Sequence, residues 1–464
     1  MPTVEGKKIL VLGLARSGLA AARLLREGGA LVRGSDRRSE EDLGPAVEEL
    51  RRLGVEVETG GHGSETLQGV DLVVVSPGIP DQAPILEQAR RAGIPIHSEL
   101  EAASWWARAP MAAVTGSNGK TTTTTLIGRI FQRTGRPCRV AGNIGFPLSA
   151  AVRDVPPEGA LVVEVSSFQL EHVETFRPRV GVILNITPDH LDRHRTMEAY
   201  IRAKARLLAN QTADDTAVLN HDDPRTAALE DQVRGALVSY SIRERMPGGI
   251  FVRDGAIWSG LSGTDRKVLE VDRVALPGPH NLSNALAAVA AARILGADLS
   301  ACAEELAAFR GLEHRLEPVR VLDEVRYVND SKATNVEAVE QALLSFPDGI
   351  LLIAGGRDKD ADFTRLNHLI EQRVRRLILL GEAREKMERA WEGLTAIHPA
   401  ADLDEAVRLA HGAARPGDIV LLSPACASFD MFRDFEDRGN TFKRIVNELT
   451  SARKNATSTH RGTS

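Results

Sequence analysis

The sequence predicts an α/β protein of three domains, of which the first and the last are Rossmann-like. Its 464 residues correspond to about three domains at roughly 150 residues each. Short apolar runs alternate with longer helical patterns, and continuous apolar runs are typical of parallel strands that helices cover on both faces. These runs lie at residues 9–12, 72–75, 161–165, 180–184, 350–354, 377–380 and 419–422.

Three stretches, beginning near residues 7, 111 and 317, each start like a new sheet. We therefore predict domains at residues 1–104, 105–311 and 312–450. Residues 451–464 are polar and lack periodicity, so we expect a disordered tail there. Short strands separated by glycine-rich turns predict an antiparallel patch on the central domain at 234–273.

The composition excludes several classes of protein. Lys and Arg total 58 against 63 Asp and Glu, a formal net charge of −5, which argues against a general nucleic-acid-binding protein but permits sites for anionic substrates. Three cysteines argue against a disulfide framework and indicate a reducing compartment. No apolar run approaches the roughly 20 residues that span a bilayer, and no signal-peptide pattern is present. We expect a cytoplasmic protein without membrane insertion.

A strand, a glycine-rich turn and a helix follow one another at residues 111–131, and the turn reads TGSNGKT. In a P-loop of this form backbone N–H groups hold phosphate oxygens, Lys120 reaches the outer phosphates and the Thr121 hydroxyl binds Mg²⁺. Val114 stands where the strict pattern has its first glycine. A chance Gly-Lys-Thr at a helix start is the alternative, and the preceding strand favours the P-loop. The central domain is therefore predicted to bind ATP through this P-loop.

Three further side chains are candidates for the same centre. Glu164 ends a buried strand, where a carboxylate is costly unless it meets a cation, so a Mg²⁺ ligand is favoured over a glutamate at an exposed strand end. His190 follows a second strand and is either a turn histidine or a ligand of metal or phosphate. Lys204 lies within the apolar stripe of a helix predicted at 196–210. Spacing alone does not decide between a snorkelling lysine and one directed at the nucleotide.

The first domain begins with a Rossmann-like turn, ILVLGLARSG at residues 9–18, and Asp36 closes the next strand. This arrangement alone suggests a nicotinamide dinucleotide site with Asp36 at the ribose. However, Ala15 replaces the second glycine, which lets a pyrophosphate approach the backbone closely. The signal for a dinucleotide is therefore weak.

Six motifs are distributed over the chain. They are TGSNGKT at 115–121, GNIG at 142–145, EVSSFQLE at 164–171, NITPDH at 185–190, GPHNLSN at 278–284 and EHR at 313–315. Together they resemble the ATP-dependent muramyl ligases, a family that has the folylpolyglutamate synthetases as cousins. The matches run from about residue 9 to residue 445. The resemblance implies three domains, which bind in turn a UDP-sugar substrate, ATP and an incoming amino acid.

The third domain carries NDSKATN at 329–335, SPACASFD at 423–430 and FEDRG at 435–439, which resemble the D-glutamate-adding branch of that family. Branches that add alanine, diaminopimelate or a dipeptide have other motifs here. DDPR at 222–225 is similar to a motif of the diaminopimelate-adding branch, but it lies in the central domain and is discounted.

The resemblance implies a ligase that joins D-glutamate to UDP-N-acetylmuramoyl-L-alanine in cytoplasmic peptidoglycan precursor synthesis. In such a reaction ATP phosphorylates the alanyl carboxylate. The amine of D-glutamate then attacks the acyl phosphate, and a tetrahedral intermediate collapses to amide and phosphate. The chain is expected to be a monomer.

The resemblance also implies roles for individual residues, with Lys120, Glu164, His190 and Lys204 as the catalytic set. ATP would be bound by Thr115, Gly116, Ser117, Asn118, Gly119, Lys120, Thr121, Thr122, Asn281, Arg315, Asp330 and Lys332. Two Mg²⁺ ions would be held by Thr121, Glu164, His190 and a carbamylated Lys204. The UDP-substrate would be bound by Ser17, Asp36, Arg37, Gly78, Asn143 and Ser166, and a purely structural helix start at Ser17 is an alternative. D-Glutamate would be bound by Thr334, Lys359, Ser428 and Phe435, with Ser428 opening the final helix, whose N-terminus favours an anion.

Three other functions remain open at this point. A P-loop NTPase with an NAD-like sensor domain predicts phosphate release without any amine and leaves residues 329–335 unexplained. A dinucleotide oxidoreductase predicts nicotinamide binding at residues 13–18 and leaves the P-loop idle. A ligase of another branch keeps the family and uses a different amino acid.

Overall fold

The structure is a computed structural model and describes residues 3–63, 65–358 and 361–450. These residues divide into two compact units. One comprises the described residues up to Ala275 together with Asn281–Phe309, and the other comprises Leu276–His280 together with the described residues from Arg310 onward. The boundaries predicted at 104 and 311 stay predictions, and the predicted tail lies outside the described residues.

The first sheet has five parallel strands in the order β3-β2-β1-β4-β5. Its strands are β1 Lys8–Leu12, β2 Leu31–Ser35, β3 Glu56–Glu58, β4 Leu72–Val75 and β5 Ile96–Ser98. The helices of this region are α1 Arg16–Glu27, α2 Glu40–Leu43, α3 Pro45–Arg52, α4 Pro84–Arg91 and α5 Glu99–Ser104. The strand order reverses at β1, and ligands of open α/β sheets bind at the carboxyl ends of the strands at such a point. The Rossmann-like prediction is confirmed.

The second sheet has nine strands in the order β14-β13-β12-β11-β10-β9-β6-β8-β7. Its strands are β6 Met111–Thr115, β7 Cys138–Gly142, β8 Ala160–Glu164, β9 Val180–Ile183, β10 Thr216–Asn220, β11 Ala236–Ser241, β12 Ile250–Arg253, β13 Ala256–Ser259 and β14 Arg266–Glu270. The helices that follow are α6 Lys120–Arg133, α7 Leu148–Ala151, α8 Ser167–Leu170, α9 Leu191–His194, α10 Met197–Ala205, α11 Pro224–Ala227, α12 Pro279–Ile294 and α13 Leu299–Ala308. Strands β12, β13 and β14 pair antiparallel, as predicted, and β12 joins them in parallel to β11 so that they extend the main sheet.

The third sheet has six strands in the order β15-β16-β20-β17-β18-β19, and only β15 is antiparallel to its neighbour among the described strands. Its strands are β15 Glu317–Leu322, β16 Val325–Asn329, β17 Ile350–Gly355, β18 Val374–Leu380, β19 Ala396–Pro399 and β20 Ile419–Leu422. Its helices are α14 Val336–Leu344, α15 Asn367–Arg373, α16 Arg384–Trp391, α17 Leu403–Ala413 and α18 Phe435–Glu448. Alternate residues of β17 enter different cores, since Leu352 belongs to one apolar cluster and Leu351 to another. Burial on both faces is why these strands are continuous apolar runs.

Within the part of the chain that the structure describes, no helix could cross a membrane. Each is too short or too polar to span a bilayer.

A buried carboxylate fastens α5 to the second sheet. Glu101 accepts hydrogen bonds from the Trp105 indole, from the Thr175 hydroxyl and from the backbone N–H groups of residues 174–176. Burial alone would raise the pKa of Glu101, but these donors outweigh burial and hold it below the ordinary value of 4.5.

We expect Glu101→Ala to lower the free energy of unfolding by roughly 3 kcal/mol at neutral pH, because it leaves several buried donors without an acceptor. A folded-state pKa below the unfolded value stabilises the protein fully above pH 4.5, and this contribution is lost as the pH falls through the lowered pKa. Urea unfolding of both proteins between pH 7 and pH 3 measures the difference. The exposed Glu48→Ala is the control, with an expected change within about 0.5 kcal/mol; an equal loss in both variants contradicts the assignment.

Candidate active site

The glycine-rich turn at 115–121 connects β6 to α6 and has the backbone form of a phosphate-binding loop. Gly119 caps α6 in the left-handed region at φ 84°, which favours glycine. A Cβ atom at this position would lie 2.2 Å from Oδ1 of Asn284. Residue 119 must therefore be glycine for α6 to begin where it does, with its N-terminal N–H groups at the mouth of the sheet.

The segment after β9 holds this loop in place. The backbone N–H of Asn118 donates to Oδ1 of Asn185 at 2.8 Å, and that of Ser117 donates to the Asn185 carbonyl at 2.9 Å. The Thr187 N–H in turn donates to Ser117 Oγ at 3.0 Å. Two sequence motifs, TGSNGKT and NITPDH, thus form one structure.

Two lysines converge on a single carbonyl of the loop. Lys120 Nζ donates to the Gly116 carbonyl at 2.9 Å and to the Ser117 carbonyl at 2.8 Å. Lys204, which is 1% exposed, donates from Nζ to the same Gly116 carbonyl at 2.7 Å. Lys204 is therefore not a snorkelling lysine, because its amine is buried at the loop. Burial, assisted by the charge of Lys120, lowers the pKa of Lys204 well below its ordinary value.

Glu164 lies at the end of β8 and is 3% exposed. Its Oε1 accepts a hydrogen bond from Nδ2 of Asn143 at 2.9 Å. Its Oε2 is buried and has no hydrogen-bond partner among the described residues. A buried carboxylate oxygen without a donor is costly unless a cation meets it, so this residue suits Mg²⁺, which prefers oxygen ligands.

His190 precedes α9 with a left-handed backbone, φ 53°. Its ring packs edge-on against Phe168, with 4.8 Å between the ring centroids, and its Nε2 lies 3.6 Å from Asp189 Oδ2. Because β8, β6 and β9 are neighbouring parallel strands, Glu164, the loop and His190 follow strands that end at one edge of the sheet. The arrangement fits a metal ligand as well as a turn histidine.

Tyr200 is a site residue that sequence reasoning missed. Its hydroxyl lies 3.1 Å from Ser117 Oγ, and Lys204 Nζ lies 4.5 Å from the centroid of its ring. The sequence placed Tyr200 in the apolar stripe of α10. Its position four residues before Lys204 was the available signal, since residues i and i+4 share a helix face.

The first domain places its predicted residues at the carboxyl edge of the first sheet. Asp36 follows β2, and its Oδ2 accepts from the Leu14 N–H at 2.7 Å and from Arg38 at 2.9 Å. Burial alone would raise the pKa of Asp36, but these donors hold it at about 2. Ser17 lies in the first turn of α1, while Arg37 and Gly78 are exposed beyond the ends of β2 and β4.

Asn143 and Ser166 follow the neighbouring strands β7 and β8. The Asn143 N–H donates to the Glu164 carbonyl at 2.9 Å, and Ser166 caps α8 in a capping box with Gln169. Asn143 therefore contacts Glu164 directly, and Ser166 follows Glu164 by two residues in the chain.

In the second unit, the loop after β16 and the start of α18 lie together. Lys332 Nζ lies 5.2 Å from the centroid of the Phe435 ring, and Ser331 Oγ donates to the Phe435 carbonyl at 2.8 Å. Thr334 belongs to the same loop, with its N–H donating to the Lys332 carbonyl at 2.9 Å. Burial raises the pKa of Asp330 to about 7, although Ser423 Oγ donates to its carboxyl at 2.8 Å.

Ser428 does not open the final helix: it lies in a turn after β20, and α18 begins at Phe435 with Asp434 as its N-cap. The acidic first turn of α18, Glu436 and Asp437, disfavours an anion at that end. The predicted Lys359 lies outside the described residues. Asn281 is buried in the first unit, and Arg315 belongs to the second unit.

Arg438 belongs to the FEDRG motif, but the sequence assigned it no role. It is 3% exposed, and its guanidinium donates to Ser331 Oγ and the Ser331 carbonyl, each at 2.9 Å, and to the Cys426 carbonyl at 3.1 Å. Burial lowers its pKa to about 10, which leaves it cationic at neutral pH. Arg438 thus joins the loops after β16 and β20 to α18, the three segments that carry Thr334, Ser428 and Phe435.

We expect Arg438→Met to lower the free energy of unfolding by roughly 3 kcal/mol, because three buried acceptors lose their donor. Thermal and urea unfolding measure this loss. The exposed Arg433→Met on the preceding turn, 86% exposed, is the matched control and should be near neutral. Equal stability of the two variants would show that Arg438 does not hold these loops.

The Mur ligase domain families match the chain in three successive segments. The Mur ligase MurD-like N-terminal domain matches residues 7–98, the Mur ligase middle domain matches residues 114–292, and the Mur ligase glutamate ligase domain matches residues 314–426.

Curated relatives and solved structures agree with these matches. A UDP-N-acetylmuramoylalanine--D-glutamate ligase of Pelotomaculum thermopropionicum is 49% identical over 445 residues, which are 96% of this chain and 98% of that protein. Its counterpart from Salinibacter ruber is 47% identical over 460 residues, 96% of this chain and 99% of that protein. A pseudomurein peptide ligase type C from Methanothermus fervidus shares the fold with a TM-score of 0.60 at 20% identity, over 96% of this chain and 100% of that one. The chain therefore belongs to the Mur ligase family, in its UDP-N-acetylmuramoylalanine--D-glutamate ligase branch.

Proposed function

We propose that this chain joins D-glutamate to UDP-N-acetylmuramoyl-L-alanine with ATP, through an acyl phosphate and a tetrahedral intermediate, and releases ADP and phosphate. The observation that carries the proposal is the contact of Lys120 and Lys204 with one phosphate loop, while Glu164, with an unpartnered carboxylate oxygen, ends the neighbouring strand β8. The named relatives at 49% and 47% identity support the choice of substrates.

Phosphoryl transfer requires positioning and charge neutralisation rather than a protein nucleophile. Lys120 would leave its loop carbonyls to reach the outer phosphates, while the N–H groups of the loop hold the phosphate oxygens. Thr121 and Glu164 would hold one Mg²⁺ and His190 the second. Bound Mg²⁺ supplies positive charge to the phosphoryl oxygens. Asn143, hydrogen-bonded to Glu164, would contact the acyl-phosphate side of the substrate.

We propose that Lys204 is carbamylated in the active enzyme. Its lowered pKa favours the neutral amine, whose nitrogen attacks carbon dioxide, forms an N–C bond and releases a proton, leaving a carbamate of negative charge. The carbamate nitrogen retains one N–H, which can keep donating to the Gly116 carbonyl. An anionic carbamate beside the loop would help to hold the second Mg²⁺, whereas an ammonium would repel it.

The remaining assignments are proposals of the same kind. The nucleotide would be bound by residues 115–122 with Asn281, Arg315, Asp330 and Lys332, and the UDP part by Ser17, Asp36, Arg37, Gly78 and Ser166. D-Glutamate would be bound by Thr334, Ser428, Phe435 and Lys359. We further propose domains at 1–104, 105–311 and 312–450, a monomeric state and a cytoplasmic location.

The decisive experiment measures phosphate release from ATP with Mg²⁺ and UDP-N-acetylmuramoyl-L-alanine. We expect strong stimulation by D-glutamate and none by L-glutamate, L-lysine, diaminopimelate or buffer. The amine is needed to discharge the acyl phosphate, so turnover depends on it. Stimulation by another amino acid would keep the family and overturn the assignment of residues 329–335 and 423–439. Release without any amine would favour the NTPase.

A further inference from the structure

A large cavity in the first unit is lined by none of the described residues assigned to the reaction. Its volume is about 1110 Å³, at the upper end of the roughly 300–1,000 Å³ typical of ligand pockets. It is bounded by residues 81–90 of the first domain and by the segments 171–172, 193–209 and 231–234 of the central domain. The residues proposed for the UDP-substrate, the phosphate loop, Glu164, His190 and Lys204 do not line it.

The wall of the cavity is rich in arginine. Its cationic lining residues are Arg90, Arg193, Arg195, Arg202, Arg206 and Arg234, and no lysine lines it within the described chain. Three carboxylates face them, those of Asp81, Glu171 and Asp231. The cavity thus carries an excess of positive charge in a protein whose formal net charge is −5.

Two of the three carboxylates are already paired with arginines of the lining. Asp81 pairs with Arg90 and lies 3.1 Å from His172, and Glu171 pairs with Arg193 at 2.5 Å, so these carboxylates are already engaged. Arg206 donates to the Val173 carbonyl and Arg234 to the Ala209 carbonyl, and both acceptors are neutral. Asp231 is the remaining carboxylate of the lining.

Arg195 and Arg202 are two further arginines of the lining. Among the side chains that the structure describes, no carboxylate forms an ion pair with Arg195 or Arg202, and Arg202 interacts electrostatically with Glu198, four residues before it on α10. Arg202 lies in the last turn of α10, and Arg206 begins the 3₁₀ turn Arg206–Leu208 that follows it directly. Both side chains are exposed and line the cavity.

We propose that the cavity binds a small phosphate-bearing anion of nucleotide size through Arg195, Arg202, Arg206 and Arg234. Guanidinium groups bind phosphate through paired N–H donors, and arginine is preferred to lysine where such geometry matters. Several arginines suit a ligand with more than one negative charge, and the cavity volume admits a ligand larger than inorganic phosphate.

Calorimetry of the complete protein with inorganic pyrophosphate tests the site. The UDP-substrate and a non-hydrolysable ATP analogue are first added to saturation with excess Mg²⁺, so that both substrate sites are occupied. We expect one further equivalent of pyrophosphate to bind, and Arg195→Gln/Arg202→Gln to weaken it at least tenfold. The control Arg91→Gln/Arg433→Gln removes the same two charges at side chains that are 77% and 86% exposed, and should retain the affinity.

Three outcomes would overturn the proposal. Loss of pyrophosphate binding once the UDP-substrate is present would assign the cavity to the substrate site. Equal weakening in the control variant would show a long-range effect of net charge. Tighter binding of succinate than of pyrophosphate would exclude phosphate as the ligand chemistry. Because all four mutated arginines are exposed, melting curves of both variants should match the parent protein.

Discussion

Lys120→Ala is expected to reduce acyl-phosphate formation by roughly 1000-fold, the scale seen when one donor to a developing anionic charge is removed. Lys120 begins α6, and its Nζ already lies within the loop, 2.9 Å from the Gly116 carbonyl. Its charge therefore lies at the loop before ATP binds. The residues proposed for the UDP part follow other strands, so binding of UDP-N-acetylmuramoyl-L-alanine should be largely unchanged.

Rapid-quench measurement of acyl phosphate, with calorimetry of UDP-substrate binding, separates the two effects. The control is Lys267→Ala, whose side chain is 46% exposed on β14 and pairs with Glu270. Full activity in Lys120→Ala would refute the assignment of the loop. Loss of UDP-substrate binding together with activity would indicate that the loop had collapsed rather than lost a charge.

The strands were predictable because burial on both faces leaves a continuous apolar run. The runs at 72–75 and 419–422 coincide with β4 and β20. Helix ends were less accessible to sequence reasoning. The helix predicted at 196–210 ends as α10 at Ala205 and continues only as a short 3₁₀ turn, Arg206–Leu208. The apolar spacing does not distinguish a longer α-helix from this 3₁₀ turn, because Leu207 and Leu208 would be buried in either conformation.

The phosphate loop and Glu164 were predictable because their chemistry is local to a strand and the turn after it. The role of Arg438 was not predictable, although the FEDRG motif contains this residue. Its acceptors, the Ser331 and Cys426 carbonyls, are distant in sequence, and any residue type can supply a backbone carbonyl. The error at Ser428 has a related cause. A serine before a helix resembles an N-cap, but Asp434 takes that role and accepts from the Asp437 N–H at 2.7 Å.

Lys204→Ala is expected to lower kcat by roughly 100-fold, as removal of a group that orders a bound metal does. Lys204 is buried at the loop, so its loss leaves a cavity the length of its side chain. Small carboxylates such as formate or acetate should enter that cavity and restore part of the activity, because they supply the negative charge that the proposed carbamate carries. Steady-state assays over a range of formate concentration measure the rescue.

The matched variant Lys204→Met distinguishes the loss of the carbamate charge from the cavity that alanine leaves. Methionine fills the space of the lysine side chain and cannot be carbamylated. This variant should therefore be as inactive as Lys204→Ala and should not respond to formate. Intact mass measured without acid should show the added mass of one carbon dioxide on the parent protein and on neither variant. Activity of Lys204→Ala equal to that of the parent would mean that the lysine serves only to bond the Gly116 carbonyl, 2.7 Å from its Nζ. Equal activation of both variants by formate would show that formate acts outside the cavity left by Lys204. That result would contradict the proposal that a carbamate on Lys204 supplies the negative charge beside the loop.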